Sequence, residues 1–218
     1  MVDYRVGLID GNDLVRSGRA MIINAQPDMK VVLEESDPLL AIERAPDYLV
    51  DILLVGPSQH RLRGDQFIQT LSRALADAKN DCAIIAYSAF YSPKLKFEAI
   101  KAGAQDFLGL DGDAKDLLSL IRLAVKRDYL VDPIQLLHFN RQFGPIPVTK
   151  QLDLKLSALT TQQTQILELF LGGSEDQAIA KELDMARTRV TQFLELLLSS
   201  SGFTSRNQLA LSLLGGNR

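Results

Sequence analysis

Leu159–Ala210, LTTQQTQILELFLGGSEDQAIAKELDMARTRVTQFLELLLSSSGFTSRNQLA, is the stretch from which the rest of the chain is read. Its apolar residues recur at helical spacing in three groups: Ile166, Leu167, Leu169 and Phe170; Ile179, Ala180 and Leu183; Val190, Leu194 and Leu197. Thr160 with Gln163, and Ser174 with Gln177, have capping-box spacing, in which a hydroxyl and a side-chain amide satisfy each other's free backbone N–H groups. A fourth helix is expected over about Asn207 to Leu214, with Leu209, Leu211 and Leu213 available to pair C-terminal domains. The Leu183-Asp184-Met185-Ala186 link is too short to let the second and third helices lie far apart. That predicts a helix-turn-helix, whose second helix enters the major groove of DNA.

On that recognition helix, spacing carries Arg187, Thr188, Thr191, Gln192 and Glu195 away from the Val190, Leu194 and Leu197 face. Residues at its start reach base edges, so Arg187, Thr188, Thr191 and Gln192 are candidates for direct readout. Gln pairs bidentately with adenine and Arg with guanine. Lys181, Arg189, Ser205 and Arg206 are candidates for phosphate contacts, which position without specifying. A solvated helix face is the plain alternative for each. Phe193 and Leu196 widen the apolar surface, as core or as a docking face for the rest of the chain or for another protein.

The formal charge of −3 is not that of a strongly basic nucleic-acid binder. From Lys150 onward seven basic residues face seven acidic ones; from Arg187 onward, four (Arg187, Arg189, Arg206, Arg218) face Glu195 alone. The bases therefore gather on the expected DNA side, with few phosphate contacts. The single cysteine, Cys82, excludes an internal disulfide framework, and with two scattered histidines it argues against a protein-only zinc site. No apolar run reaches the roughly 18 residues needed to span a bilayer, and no signal-peptide pattern opens the chain. A cytoplasmic protein without cofactor or metal is expected.

Upstream, residues from about 4 to 127 alternate short apolar runs with amphipathic stretches, the signature of a doubly wound parallel sheet. Strands are predicted at YRVGLI (from Tyr4), MKVVLE, DILLVG (Asp51 to Gly56), CAIIAY (from Cys82) and AQDFLG. The intervening helices run from about Asn12 to Ala25, Pro38 to Ala45, Gly64 to Ala78, Pro93 to Ala102 and Asp113 to Arg127. Pro133, Gly144, Pro145 and Pro147 mark an interdomain linker with a short helix near Ile134 to Arg141. The expected organisation is α/β for residues 1–128, a linker over 129–157 and a small all-α domain over 158–218.

Two resemblances sharpen this reading. The run LTxxQxxIL, GGSxxxxIAxxL and TxVTxxL, ending in GFTSRNQLA, resembles the LuxR-type DNA-binding domain of NarL/FixJ response regulators over about fifty residues. Gln163 stands where that family has Glu, Ser199-Ser200-Ser201 where it has a basic segment, and Glu195 where it often has a basic residue. Ala186 replaces the Ser or Thr that caps the recognition helix, a loss of roughly 1 kcal/mol. GLIDGNDLVRSG at the first turn and IKAGAQDFL at the last resemble the receiver domain of the same regulators.

Laid onto this chain, the receiver pattern puts the acid pair on Asp10 and Gly11, the phosphoryl-accepting Asp on Gly56, the hydroxyl on Ser88 and the Lys on Leu110. Phe107 takes the aromatic switch position. Glycine has no nucleophile, and phosphoryl transfer needs one in line with phosphorus. Asp10 by itself makes a poor Mg²⁺ site, although it also stands where it can cap a helix. The resemblance thus implies a degenerate receiver that works without aspartyl phosphorylation, its crevice poorer in charge and larger in space. Either water and the loop Pro57-Ser58-Gln59-His60-Arg61 fill it, or a small metabolite or anion binds there with His60, Arg61 and Arg63 as donors.

The implied function is a DNA-binding transcription regulator, not an enzyme, that meets double-stranded DNA as a homodimer. The receiver-like domain would serve as platform, through the helices near Asn12–Ala25 and Asp113–Arg127. The alternative is a protein-interaction module that has lost DNA binding and sequesters another regulator.

Overall fold

A computed structural model of the protein describes residues 4–57, 63–109, 113–126 and 128–214. The chain divides into two compact units, Met1–Arg127 and Asp128–Arg218.

The first unit alternates strands and helices: β1 (Tyr4–Ile9), α1 (Asp13–Asn24), β2 (Met29–Glu35), α2 (Pro38–Arg44), β3 (Ile52–Val55), α3 (Gly64–Asp77), β4 (Ala83–Ser88), α4 (Pro93–Ala102), β5 (Asp106–Gly109) and α5 (Ala114–Ala124). The five strands are all parallel, in the order β2-β1-β3-β4-β5. Helix starts follow the sequence closely because the N-caps are Asn12, Asp37, Ser92 and Asp113, each accepting from a backbone N–H of the first turn. Asn12, rather than Asp10, caps α1.

Alternation along the strands separates two cores. Ile9, Leu33, Leu53, Val55, Ile84 and Ala86 pack with Ala41 of α2, with Phe67 and Leu71 of α3 and with Ala99 of α4. The alternate residues Leu8, Ile52, Leu54 and Ile85 are buried on the other face, where α1 and α5 lie against the sheet. Two strands start later than their apolar runs. Asp51 precedes β3, its carboxylate accepting from the Arg5 backbone N–H (2.7 Å) and guanidinium (3.0 and 3.2 Å). Cys82 precedes β4, its backbone N–H bonded to the Asn80 side chain.

The second unit is helical: α6 (Pro133–Phe143), α7 (Lys150–Ser157), α8 (Thr161–Leu171), α9 (Asp176–Glu182), α10 (Arg187–Ser201) and α11 (Arg206–Leu214). The residues read as a linker thus carry two helices of this unit. Pro133 does not break structure; it occupies the first turn of α6, where its missing N–H has no helical partner to lose, and Asp132 caps that turn. Leu136, Phe139 and Asn140 of α6 are buried, and the helix packs on α11. Polar bonds fix this contact: Val131 N–H to Asn207 Oδ1 (2.8 Å), Asn140 Nδ2 to the Leu211 carbonyl (2.6 Å) and Ser212 Oγ to the Ile146 carbonyl (3.1 Å).

The last helix is consequently interior. Every residue from Arg206 to Ser212 is buried, so α11 does not present the free Leu209 and Leu211 face expected for pairing two domains. Among the described residues no helix is long and apolar enough to cross a membrane.

Candidate functional site

Asp10 lies at the carboxyl end of β1, where open α/β sheets place their ligands. It is only 3% exposed, and its carboxylate is fully engaged. The Tyr87 hydroxyl donates to Oδ2, the Asn12 backbone N–H to Oδ1 (2.8 Å), and Arg19 Nη1 stands 3.7 Å from Oδ2. The Arg19 guanidinium stacks on the Tyr87 ring at 3.6 Å, a cation–π contact. Burial, and then the hydrogen bond to Asp10, push the Tyr87 phenol well above its usual range, so it stays protonated and donates.

The ring of Tyr87 fills the space expected to be open. A Cβ built on Gly56 would lie 2.6 Å from both Cζ and Oη of Tyr87 and would collide with Asp10 Oδ2. Any larger residue at position 56 would therefore force Tyr87 or Asp10 to shift. Gly11 does not: a Cβ there would meet nothing nearer than the Ser36 carbonyl at 3.7 Å. Ser88 is half-buried, its Oγ accepting from the Phe90 N–H (3.2 Å). Phe107 is buried, its ring tilted 52° to that of Tyr91 at 6.1 Å. Arg63 pairs with Asp65. Leu110, His60 and Arg61 lie outside the described residues. Among the described residues, the side chain of Tyr87 occupies the room above Gly56 that was expected to be open.

In the second unit, α9 and α10 form the helix-turn-helix. The turn closes with Asp184 in the left-handed region (φ 48°), the Met185 N–H bonding back to the Ala180 carbonyl (2.9 Å). Ala186 is the N-cap of α10 and offers no side-chain bond. At α8 the Thr160–Gln163 capping box forms. The Ser174–Gln177 box does not, because α9 starts one residue later and takes Glu175 as its N-cap.

The first residue of α9 is Asp176. Only 1% exposed, it accepts two bonds from Arg206 (2.6 and 3.0 Å) and one from Thr191 Oγ1 (2.6 Å). Desolvation pushes its carboxyl up, yet the bonds from Arg206 and Thr191, aided by the charges of Arg206 and Arg187, hold it below the usual carboxylate range. One carboxylate thereby ties α9, α10 and α11 together.

This network removes three residues from the expected DNA face. Thr191 is half-buried and bonded inward; Ser205 and Arg206 are each 5% exposed, and Ser205 Oγ accepts from the Gln208 N–H (3.3 Å). Lys181, Arg187, Thr188, Arg189 and Gln192 remain exposed together at the start of α10 and the end of α9. Arg187 Nη2 lies 3.5 Å from Asp128. Phe193 is core, whereas Leu196 is 46% exposed beside Glu195. Of Ser199–Ser201 only Ser199 faces solvent; all three hydroxyls donate to carbonyls of their own helix.

With this geometry in hand, the similarities to known proteins fall into place. The chain is 26% identical over 207 residues, 95% of each chain, to the transcriptional regulatory protein LiaR of Bacillus subtilis. It is 24% identical over 204 residues to the nitrate/nitrite response regulator NarL of Escherichia coli, covering 94% of this chain and 92% of that one. Its homologues are response regulators. The receiver-like unit superposes on the response regulator domain of Thermotoga maritima CheB with a TM-score of 0.50 at 26% identity, over 57% of this chain and 97% of that domain. A LuxR-family two-component response regulator from Aurantimonas matches the same fold with a TM-score of 0.50 at 20% identity, over 56% of this chain and 84% of that one. No family model matches the chain.

Tyr87, Arg19, Asp176 and Asp128 carry these sites and escaped the sequence reading. For Tyr87 a signal existed. Val55 of β3 pairs with Ala86 of β4, so Gly56 and Tyr87 come next in register, the smallest residue beside a large one. Asp176 gave no comparable signal, since its partner is thirty residues away.

Proposed function

We propose that this chain is a DNA-binding transcription regulator of the NarL/FixJ type that acts without aspartyl phosphorylation. The observation that carries the DNA role is the exposed cluster Arg187, Thr188, Arg189, Gln192 and Lys181 at the start of the second helix of the helix-turn-helix. Thr188 and Gln192 are the base readers, Lys181 and Arg189 the phosphate ligands, and Arg187, at the first position of α10, reaches both a base edge and the phosphate beside it. Phosphorylation independence is supported at Gly56, where no carboxylate is present and none fits beside Tyr87. In this reading the protein binds double-stranded DNA as a homodimer. Leu14 (84% exposed) and Met21 (75%) on α1, with Leu123 (45%) on α5, supply apolar surface for pairing through the receiver-like unit.

The test is selection of genomic DNA fragments on the full-length protein at low and near-physiological salt. Enrichment of a two-fold-symmetric site, lost in Gln192→Ala, is expected. Absence of enrichment at either salt sinks the DNA role. It would turn attention to the second reading, a module that sequesters another regulator, which the exposed Leu196 beside Glu195 favours.

A further inference from the structure

The first residue of the recognition helix has a partner that neither the helix-turn-helix nor the receiver pocket requires. Arg187 is half exposed on the face that would meet DNA, and its Nη2 lies 3.5 Å from Oδ2 of Asp128. The Asp128 side chain is only 9% exposed. It is not on a loose strand of chain: three residues further on, Val131 is buried and its N–H is bonded to Asn207 of α11. The next residue, Asp132, caps α6. The acid is therefore held against α10 by the same stitches that fasten α6 to α11.

A carboxylate oxygen facing a guanidinium offers the charge and acceptor geometry that a backbone phosphate oxygen would offer. We propose that Asp128 is a built-in stand-in for a DNA phosphate, which occupies Arg187 in the free protein and lowers its affinity for duplex DNA. This rests on the DNA-binding reading of α10. Asp128 is also the residue at which the second unit begins, four positions past the end of α5.

The experiment measures binding of the full-length protein to a fluorescein-labelled duplex of mixed sequence, by anisotropy across a salt series. Asp128→Asn should bind about three- to tenfold tighter at low salt, with a slope of log affinity against log salt steeper by about 0.9, the signature of one more phosphate neutralised. Asp128→Glu keeps the charge and should bind like the parent. In an Arg187→Ala background, Asp128→Asn should give no gain, because the pair is then already broken. Equal or weaker binding by folded Asp128→Asn, or a gain that persists without Arg187, overturns the inference while leaving DNA binding intact. If neither the parent nor Asp128→Asn binds duplex at any salt, the DNA-binding reading fails and this inference with it.

Discussion

Gly56→Ala adds a single methyl group, and its cost can be worked out from the contacts it would make. The new Cβ would stand 2.6 Å from Tyr87 Cζ and Oη, where carbon contacts settle at about 3.5–4.0 Å. The ring must retreat by about 1 Å, yet Arg19 stacks on it at 3.6 Å and Asp10 holds its hydroxyl. Overpacking of a filled interior costs about 1–3 kcal/mol, and a hydrogen bond to a charged group is worth about 1.5–3 kcal/mol. Because one movement relieves the first by sacrificing part of the second, the net cost should be about 2–4 kcal/mol. At roughly 3–4 °C per kcal/mol for a unit of this size, the first unit should melt about 6–15 °C lower.

Calorimetry of the whole chain, repeated in a Tyr87→Ala background, provides the assay. With the ring gone only the contact with Asp10 Oδ2 remains, and the carboxylate, released from the Tyr87 hydroxyl, can turn away from the methyl group, so the same substitution should cost about 1 kcal/mol. A Gly56→Ala protein that melts with the parent, or one penalised equally in both backgrounds, would refute the view that Tyr87 fills the acceptor position.

Other outcomes follow from the same geometry. Arg206→Met should destabilise the second unit by about 3–5 kcal/mol by stranding the buried Asp176 carboxylate, and Arg206→Lys should only partly restore it because an ammonium does not span both oxygens; thermal melts decide both. The Asp176 carboxyl is lowered in the folded state, so its contribution to stability is complete above the ordinary carboxylate range and fades as pH falls through the depressed native value. Melts of the second unit should therefore drop below about pH 4, an acid sensitivity that Arg206→Met blunts. Gln192→Ala should cost about 1–3 kcal/mol of discrimination at one base pair, whereas Lys181→Ala should weaken binding to every sequence and flatten the salt slope by about 0.9; titrations on selected and mixed duplexes separate the two. Burial, with the Asp51 charge adding to it, pushes the Cys82 thiol up. The folded protein should accordingly resist iodoacetamide at neutral pH, and the rate of labelling should report opening of the first unit.

What could be read ahead of the structure was whatever is local. Alternating apolar runs located the helices of the first unit, and the caps that the structure shows at Asn12, Asp37 and Ser92 lie at or next to the expected starts because a cap acts on backbone only two or three residues away. The Thr160–Gln163 box was legible for the same reason. The helix after Pro133 was legible too, but the prolines and Gly144 around it read as a linker, because nothing local shows that the helix is fastened to a segment about seventy residues on. Arg206 misled because its role depends on Asp176, whose burial is decided by the packing of three helices. Tyr87 was unannounced because the six receiver positions, taken residue by residue, carry no information about what stands beside them. Exposure at the start of α10 separated Gln192 from Thr191, a distinction that helical spacing alone does not make.

The stitching of α6 onto α11 bears on how such a protein can be taken apart and recombined. Val131, Asn140 and Ile146 each hold a residue of the final helix, so the stretch before Lys150 is inherited with the helix-turn-helix and is not neutral cord between two modules. A chimera joined at 149/150 would give the new owner a final helix stripped of its cover, whereas one joined at 127/128 transfers a finished body. Under shuffling the durable seam is the one just ahead of Asp128, and the residue that would act as the phosphate mimic crosses with the helix it restrains.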